Sequence, residues 1–479
     1  MPKHLSVLLV STCLLGLSAC SDFRDYDGAP EIDGATETEI GALGNERFQD
    51  AAPVSEWWET LADTQLDALI TQSLDTNKDA QIALANLFEA RAIARETSFD
   101  RFPTVTARGS ATRNRNSGEA AFGPGPTPGE GFITNNVDAG FDASWELDLF
   151  GRVSEAVKAN DARAVAAQAN LRDVYVTIAS EVARTYMELR GAQYRLSIAE
   201  RNANNQRETY ALTKRLEEGG RSTALDIAQA ETQLELTEST IPTLEAQVNA
   251  TIHRLSVLTG QVPDALRDSL IGVKELPSIP QAVNVGNVSD LLRRRPDIQR
   301  AEQTLIAAVA DYNVSVADQF PIVNITGTLG FAATSLSSFG ATALVGAIGP
   351  SISWSAFDIG RVNARINQND ARAQAAIASY EKTVLEALEE LQTAVSDFSK
   401  EEERRARLQN AARASKLAAE LSRTRYEAGV DTFLNVLNAE ARLLEAEDTL
   451  AQSEISAAVD LITIYKALGG GWQIKVPST

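Results

Sequence analysis

The sequence predicts a mainly α-helical, internally duplicated chain with four membrane β-strands, two in each copy. The duplication shows in paired motifs, such as Trp145 and Trp354, which stand 209 residues apart. Two runs without proline, 153–218 and 361–428, predict very long helices. Residues 137–149 alternate apolar side chains with polar residues or glycine, which predicts a strand with one apolar face.

The N-terminal segment 1–19 has the features of a secretory signal: Lys3, a short apolar run and then small residues. The run is too short for a comfortable membrane-spanning helix. The following motif, Leu17-Ser-Ala-Cys20, resembles the lipobox of bacterial lipoproteins, which predicts a diacylated Cys20. In such lipoproteins Ser21, rather than Asp, favours the outer membrane. The alternative is a plain signal peptide that happens to contain a cysteine.

Composition argues against several classes of function. A formal net charge of -21 disfavours nucleic acid as a partner, because phosphate binding requires clustered Lys and Arg. Of the two histidines, His4 lies in the predicted signal, which leaves His253 as the only imidazole for a metal site or a catalytic triad. The carboxylates are scattered along helical faces, where solvation is their usual role. We therefore expect no enzyme activity, no metal site and no cofactor.

The two copies differ in one insertion. From 145 to 469 the spacing between copies is 209, whereas upstream it is 218, as for Asp79 and Asp297. The first copy must therefore contain nine more residues, and the Gly- and Pro-rich stretch 123–131 predicts a surface loop there.

We assign the first repeat to 79–260 and the second to 297–469, each reading helix, two strands, long helix, tip and helix. The remaining segments are an N-terminal linker (20–78), a central linker (261–296) and a tail (470–479).

The other three strands are expected near 105–113, 322–331 and 348–357. The last of these alternates weakly, and its Pro350 would be unfavourable in a central strand. Four strands left open would present two unpaired edges, a hazard that a barrel closed between several copies would remove. Three copies would give about twelve strands and leave a lumen, whereas two would give a barrel filled by its own side chains. The strands thus favour a trimeric membrane barrel.

Each long helix would extend roughly 100 Å at about 1.5 Å per residue and needs neighbours along its length. In the second one, apolar residues recur in a 4-3-4-3 pattern typical of a coiled-coil-like seam: Val384, Leu388, Leu391, Val395 and Phe398. The helices 79–101 and 223–259 together approach the length of the first long helix. We therefore expect two short helices, stacked end to end, beside each long one.

With these motifs in place, the chain resembles outer-membrane efflux proteins of the TolC-like, NodT-type lipoprotein branch. The resemblance rests on the lipobox, the duplicated elements and three further motifs: Trp57–Leu69, Arg294–Glu302 and Tyr465–Trp472. It implies a homotrimer in the outer membrane of a Gram-negative bacterium, lipid-anchored, with a twelve-stranded barrel and a long α-helical barrel in the periplasm. It also implies an equatorial belt formed by the linkers and the tail.

The resemblance further implies a passive conduit that exports small molecules or drugs. Its partners would be a periplasmic adaptor, an inner-membrane pump of the resistance-nodulation-division class, and outer-membrane lipid. Two alternatives remain open. One is a type I duct for secreted polypeptides, and the other is a trimeric coiled-coil scaffold without a pore, which the alternating strand argues against.

The helical tip is built twice, at 216–231 and 425–440. Gly220 and Gly429 suit the left-handed position that ends a helix. Thr223 and Thr432 suit the N-cap of the return helix, and Thr223-Ala-Leu-Asp226 resembles a capping box. For the glycines and threonines alone, well-formed turns would be a sufficient explanation.

By resemblance, the tips form a closed periplasmic aperture and dock the adaptor. The implied gate residues are Asp226, Tyr426, Asp431, Asn435 and Asn438. The implied docking residues are Gly219, Gly220, Arg221, Ser222, Thr223, Gly429, Val430 and Thr432. Family members with an acidic ring have Asp where this chain has Asn435 and Asn438, so we expect a gate held more by neutral hydrogen bonds than by charge.

Overall fold

The computed structural model describes residues 23–26, 28, 30, 47–49, 51, 54–117, 132–285 and 293–472. The predicted signal 1–19, Cys20 and the loop 123–131 lie outside these ranges, as do much of the N-terminal linker and most of the tail. The helices are α1 Thr64–Thr76, α2 Lys78–Ser98, α3 Arg152–Glu218, α4 Ala224–Leu258, α5 Arg267–Leu270, α6 Pro296–Ala317, α7 Ile359–Glu427 and α8 Phe433–Ala467. The strands are β1 Phe48–Gln49, β2 Thr104–Asn116, β3 Phe132–Leu147, β4 Val283–Asn284, β5 Ile322–Ala333 and β6 Leu344–Ser353.

The chain divides into two compact units. One contains Met1–Pro30, Phe88–Ala166 and Ala301–Tyr380, and the other contains Glu31–Leu87, Ala167–Arg300 and Glu381–Thr479. Within the described ranges, no helix is both long enough and apolar enough to cross a membrane.

The first unit holds a four-stranded antiparallel sheet in the order β2-β3-β5-β6. The two copies are joined at the centre of the sheet by the pairing of β3 with β5, which runs from Val137 opposite Ala333 to Leu147 opposite Val323. The fourth strand begins and ends four residues earlier than expected, at Leu344 and Ser353. Pro350 is compatible with it because β6 is an edge strand, where a missing backbone donor can face away from the ladder.

The duplication is visible in hydrogen bonds beside the sheet. The indole Nε1 of Trp145 donates to the carbonyl of Arg101 at 3.0 Å, and that of Trp354 donates to the carbonyl of Gln319 at 2.9 Å. The two donors stand 209 residues apart and the two acceptors 218, so both predicted spacings recur in one repeated contact.

The second unit contains a repeated junction between short helices. The Asn77 side chain donates to the carbonyl of Leu258, at the end of α4, over 2.9 Å. At the equivalent place Arg295 donates to the carbonyl of Ala467, at the end of α8, over 2.7 Å. Asn77 immediately precedes α2, and Arg295 immediately precedes α6. Each side chain therefore bonds the last carbonyl groups of one helix at the point where the next helix begins. This is the end-to-end junction that the helix lengths predicted.

The apolar stripe of α7 forms a packed seam, as predicted. Val384, Leu391, Val395 and Phe398 are each at most 2 % exposed, and Leu388 is also buried. Burial of this stripe supplies much of the stability that so long a helix could not obtain alone.

Candidate functional site: the duplicated helical tip

Both long helices end in the same left-handed turn. Gly220 has φ +70° and Gly429 has φ +75°, a region where a side chain would be strained. In the first tip the Arg221 amide donates to the carbonyl of Leu216 at 2.7 Å, and in the second the Val430 amide donates to that of Arg425 at 3.0 Å. These are the six-to-one bonds of a Schellman ending, and they confirm the backbone role predicted for the two glycines.

The first tip also has the predicted capping box. The Thr223 hydroxyl oxygen accepts from the Asp226 amide at 3.2 Å, while the Asp226 carboxylate accepts from the Thr223 amide at 2.9 Å. Ser222 donates its hydroxyl to the same carboxylate at 3.0 Å. Burial tends to raise the pKa of Asp226, but the hydrogen bonds from Thr223 and Ser222 outweigh it and lower the pKa. Asp226 is therefore ionised at neutral pH.

The second tip is capped differently. As predicted, Thr432 occupies the N-cap position, but its side chain makes no capping hydrogen bond. The Asn435 amide, which such a bond would use, donates instead to the Thr432 carbonyl at 3.2 Å. The neighbouring carboxylate of Asp431 accepts from the Thr432 amide at 2.8 Å and from the Asn435 side chain at 2.6 Å. It also accepts from Arg425 at 3.0 Å. The hydrogen bonds from Asn435, Thr432 and Arg425 together lower the pKa of Asp431.

The two tips carry the same device with its chemical roles exchanged. Ser222 and Asp226 of the first tip are equivalent to Asp431 and Asn435 of the second. The two residues of each pair are hydrogen bonded to each other. In the first tip the carboxylate belongs to the later residue, Asp226, and in the second tip it belongs to the earlier residue, Asp431. Asn435 therefore replaces an acid at its own position while acting as a donor to the acid that stands four residues earlier.

The two turns of one chain also contact each other. Tyr426, at the end of α7, is buried with its ring centroid 5.6 Å from that of Phe433. Its hydroxyl donates to Ser222 at 3.5 Å, the long limit of a hydrogen bond. A Cβ placed on Gly429 would lie 2.9 Å from a guanidinium nitrogen of Arg221, so this side chain lies directly against the opposite turn. These contacts couple the two tips within one chain.

The predicted site residues thus fall into two groups. In one group, contacts join predicted residues: Tyr426 and Asp226 both bond to Ser222, Asn435 bonds to Asp431, and Arg221 lies against Gly429. Asn438, by contrast, is exposed and makes no hydrogen bond with any described residue.

Most of the predicted docking residues are exposed, and apolar side chains accompany them. Val430 is 64 % exposed, and the equivalent leucines of the two return helices, Leu225 and Leu434, are 66 % and 52 % exposed. These leucines were not among the predicted site residues, although their spacing of 209 residues marks them as equivalent positions of the two tips. Arg425 and Phe433 were also missed, because their roles depend on contacts that only the folded tips create.

The described part of the chain contains no group of three or more His, Cys, Asp or Glu side chains arranged to hold a metal ion.

Comparisons with known proteins agree on one family. The family model described as "Outer membrane efflux protein" matches residues 69–261 and 287–470. The antibiotic efflux pump outer membrane protein ArpC of Pseudomonas putida is 30% identical over 482 residues, covering 98% of this chain and 96% of its own. The cation efflux system protein CusC of Escherichia coli O6:H1 is 29% identical over 473 residues, covering 97% and 99%. The solved outer-membrane channel OprN superposes with a TM-score of 0.87 at 39% identity, over 95% of this chain and 100% of that chain.

Proposed function

This chain belongs to the outer membrane efflux protein family and is an outer-membrane efflux channel, and from that premise we propose that it exports small molecules as a homotrimer. Its partners in this proposal are a periplasmic adaptor and an inner-membrane pump of the resistance-nodulation-division class. The observation that carries the proposal is the match of fold and sequence over nearly the whole chain, including both copies of the duplicated plan.

The sheet supports a trimer. Strands β2 and β6 are its edges, and within the described ranges neither has a partner strand on its outer side. Pairing of β6 in one copy with β2 in the next would satisfy these edges, and three copies would close a barrel of about twelve strands. Several large apolar side chains of the sheet are more than half exposed in the isolated chain: Val105, Phe141, Leu329, Ile348 and Ile352. In the assembled barrel such side chains would face lipid.

The tips support a gate. A trimer would bring six tips together, two from each chain, and each pair is already coupled through Tyr426, Ser222 and Arg221. In this proposal Asp226, Tyr426, Asp431, Asn435 and Asn438 lie at or near the aperture. Asn438, which has no bonded partner among the described residues, is available for a contact with a neighbouring protomer.

The same tips would dock the adaptor. The turns 219–223 and 429–432 together with Leu225 and Leu434 form an exposed, partly apolar surface, which suits a protein partner. A diacylated Cys20, which lies outside the described residues, would assist sorting to the outer membrane, with the barrel as the principal anchor.

Small molecules are favoured over polypeptides as cargo. ArpC and CusC are named as antibiotic and cation efflux components. Their names are the observation that separates this proposal from a type I secretion duct.

A deletion strain tests the proposal. We expect loss of the gene to raise intracellular accumulation of at least one antibiotic, dye or metal ion several-fold, and the wild-type gene to restore efflux. A variant lacking the turns 219–223 and 429–432 should reach the outer membrane and fail to restore it, because it cannot couple to the adaptor. Unchanged accumulation together with loss of a secreted polypeptide would support the duct instead.

A further inference from the structure

A stripe of polar side chains interrupts the packing of α3. Asn202, Gln206, Thr209 and Thr213 recur with a 4-3-4 spacing and are each at most 4 % exposed. Such seam positions are normally apolar in packed helices, as they are in α7. Two members reach α8: Asn202 donates to Glu447 at 3.0 Å, and Thr209 donates to Glu440 at 2.8 Å.

Gln206 stands between these two contacts and has no partner of its own. Both its amide nitrogen and its amide oxygen are buried without a hydrogen bond to any described residue. A buried amide left without hydrogen bonds is unfavourable, so native proteins seldom tolerate one without an occupant that bonds to it. Gln206 lines a cavity of about 420 Å³ whose wall also includes Glu440, Ala419 and Leu443, which we name the Gln206–Glu440 cavity.

Glu440 is a buried carboxylate in the same wall, and its hydrogen bond from Thr209 leaves it without a close cation. It is 8 % exposed, and within the described chain no Lys, Arg or His lies at ion-pair distance from it. Burial raises its pKa, against a smaller lowering by the hydrogen bond from Thr209 and the more distant charge of Arg423. A carboxylate buried without a cation is unfavourable, and a bound cation would relieve that cost.

The remaining charges around the cavity offset one another. Arg201 pairs with Glu447 at 2.8 Å. Arg423 also lines the cavity, but its ion pairs are with Glu208 at 3.1 Å and with Glu427, which do not. Lys416 and Glu420 are exposed on α7, four residues apart, and so share one helical face. The charge left at the inner wall is that of Glu440.

We propose that the Gln206–Glu440 cavity binds a small primary ammonium ion carrying a short alkyl chain. Its N–H groups donate to the Glu440 carboxylate and to the amide oxygen of Gln206, while its methylene groups contact Ala419 and Leu443. An ammonium suits the site better than a divalent metal because the wall supplies one buried carboxylate rather than a set of hard oxygen ligands. A quaternary ammonium ion has no N–H group to donate to Glu440 or Gln206, so it does not fit the site.

Calorimetric titration of the purified protein with n-butylammonium chloride tests this assignment. We expect saturable binding at pH 8, and none with tetramethylammonium or sodium chloride at equal ionic strength. Binding should weaken as the pH falls, because a protonated Glu440 no longer carries the charge that holds the ammonium. Glu440→Gln should lower the affinity at least tenfold. The matched control is Glu231→Gln, the exposed equivalent in the first copy, which should leave the affinity unchanged.

Gln206→Met keeps the volume of the side chain and removes its polar atoms, so it should weaken binding about fivefold or more. If Glu440→Gln does not fold, the affinity of the Gln206→Met variant tests whether the ammonium binds in this cavity. Absence of saturable binding to folded wild-type protein would mean that the cavity holds only water and would overturn the proposal. Equal affinity in the folded Glu440→Gln or Gln206→Met variant would overturn it as well. Binding is measured without transport, so failure here leaves the efflux function untouched.

Discussion

Asp226 and Asp431 show how two copies of one turn can differ in sequence and keep one hydrogen-bonding pattern. Each carboxylate accepts from the amide of a threonine at the N-cap and from a side chain across the turn. The second tip adds Arg425 as a cationic partner, whereas the equivalent position in the first tip is Leu216. Within one chain, then, Asn435 donates to a charged group. The expectation of a gate held more by neutral hydrogen bonds than by charge concerns contacts between copies and stays a prediction.

Asn435→Asp tests this arrangement at the level of one residue. It replaces a donor with a second carboxylate beside Asp431, so the two acids repel and the pKa of at least one is raised. We expect the amides of the tip to exchange faster at pH 7 than in the wild type, and to recover as the pH falls and one acid takes up a proton. Hydrogen exchange of the amides around 431–436 at pH 7 and pH 5 measures both effects.

The matched control for this substitution is Asn438→Asp, because Asn438 is exposed and has no bonded partner among the described residues. Equal exchange rates in Asn435→Asp and the wild type at pH 7 would contradict the assigned hydrogen bond.

Sequence reasoning reached part of this site. It located both left-handed glycines and the capping box, because each depends on residues within one turn of helix. It also placed Thr432 at the N-cap, but it did not foresee that the Asp431 carboxylate, rather than the Thr432 hydroxyl, would accept the side-chain hydrogen bonds of this turn. The contacts of Arg221 with Gly429 and of Tyr426 with Ser222 join residues far apart in the sequence, so no local pattern could reveal them.

At the scale of elements, the packing of α8 against α7 includes a group that titrates near neutral pH. Burial raises the pKa of Asp460 to about 6, and repulsion from Asp397 and Glu401 adds to the shift. Because the folded-state pKa lies above the ordinary value of 3.8, the folded protein holds this proton more tightly than the unfolded chain does. The resulting stability is present at acidic pH and is lost as the pH rises through about 6.

Asp460→Asn should remove this dependence. We expect the wild-type melting temperature to fall between pH 5 and pH 7 and that of the variant to fall less, so that the variant is the more stable protein at pH 8. Melting curves across this range provide the measurement. An identical pH dependence in the two proteins would show that Asp460 does not control it.

The limits of sequence prediction differ between strands and helices. Strand β3 alternates strongly, and its predicted range 137–149 starts five residues late and ends two residues beyond Leu147. Strand β6 alternates weakly, and its whole predicted range was displaced by four residues. The long helices were predicted closely, because they contain no proline and their apolar stripe follows the helical period. The burial of the polar residues around Gln206 was not predicted, because it depends on which face of α3 packs against α8.

At the scale of the whole molecule, one duplicated plan accounts for the repeated tryptophan contacts, the repeated helix junctions and the two tips. In a trimer each repeated feature would occur six times in a ring. Rings of long helices would form the wall of the conduit, and a ring of tips would form its aperture. The central claim is that the ring of tips closes the conduit.

Single-channel conductance in a planar bilayer tests that claim most directly. Wild-type protein would be compared with a variant in which both turns, around Gly220 and Gly429, are trimmed, and with a control in which only the first is trimmed. The account predicts a small wild-type conductance, a sharp increase in the double variant and an intermediate value in the control. A wild-type conductance that the double variant leaves unchanged would place the constriction elsewhere and contradict the account.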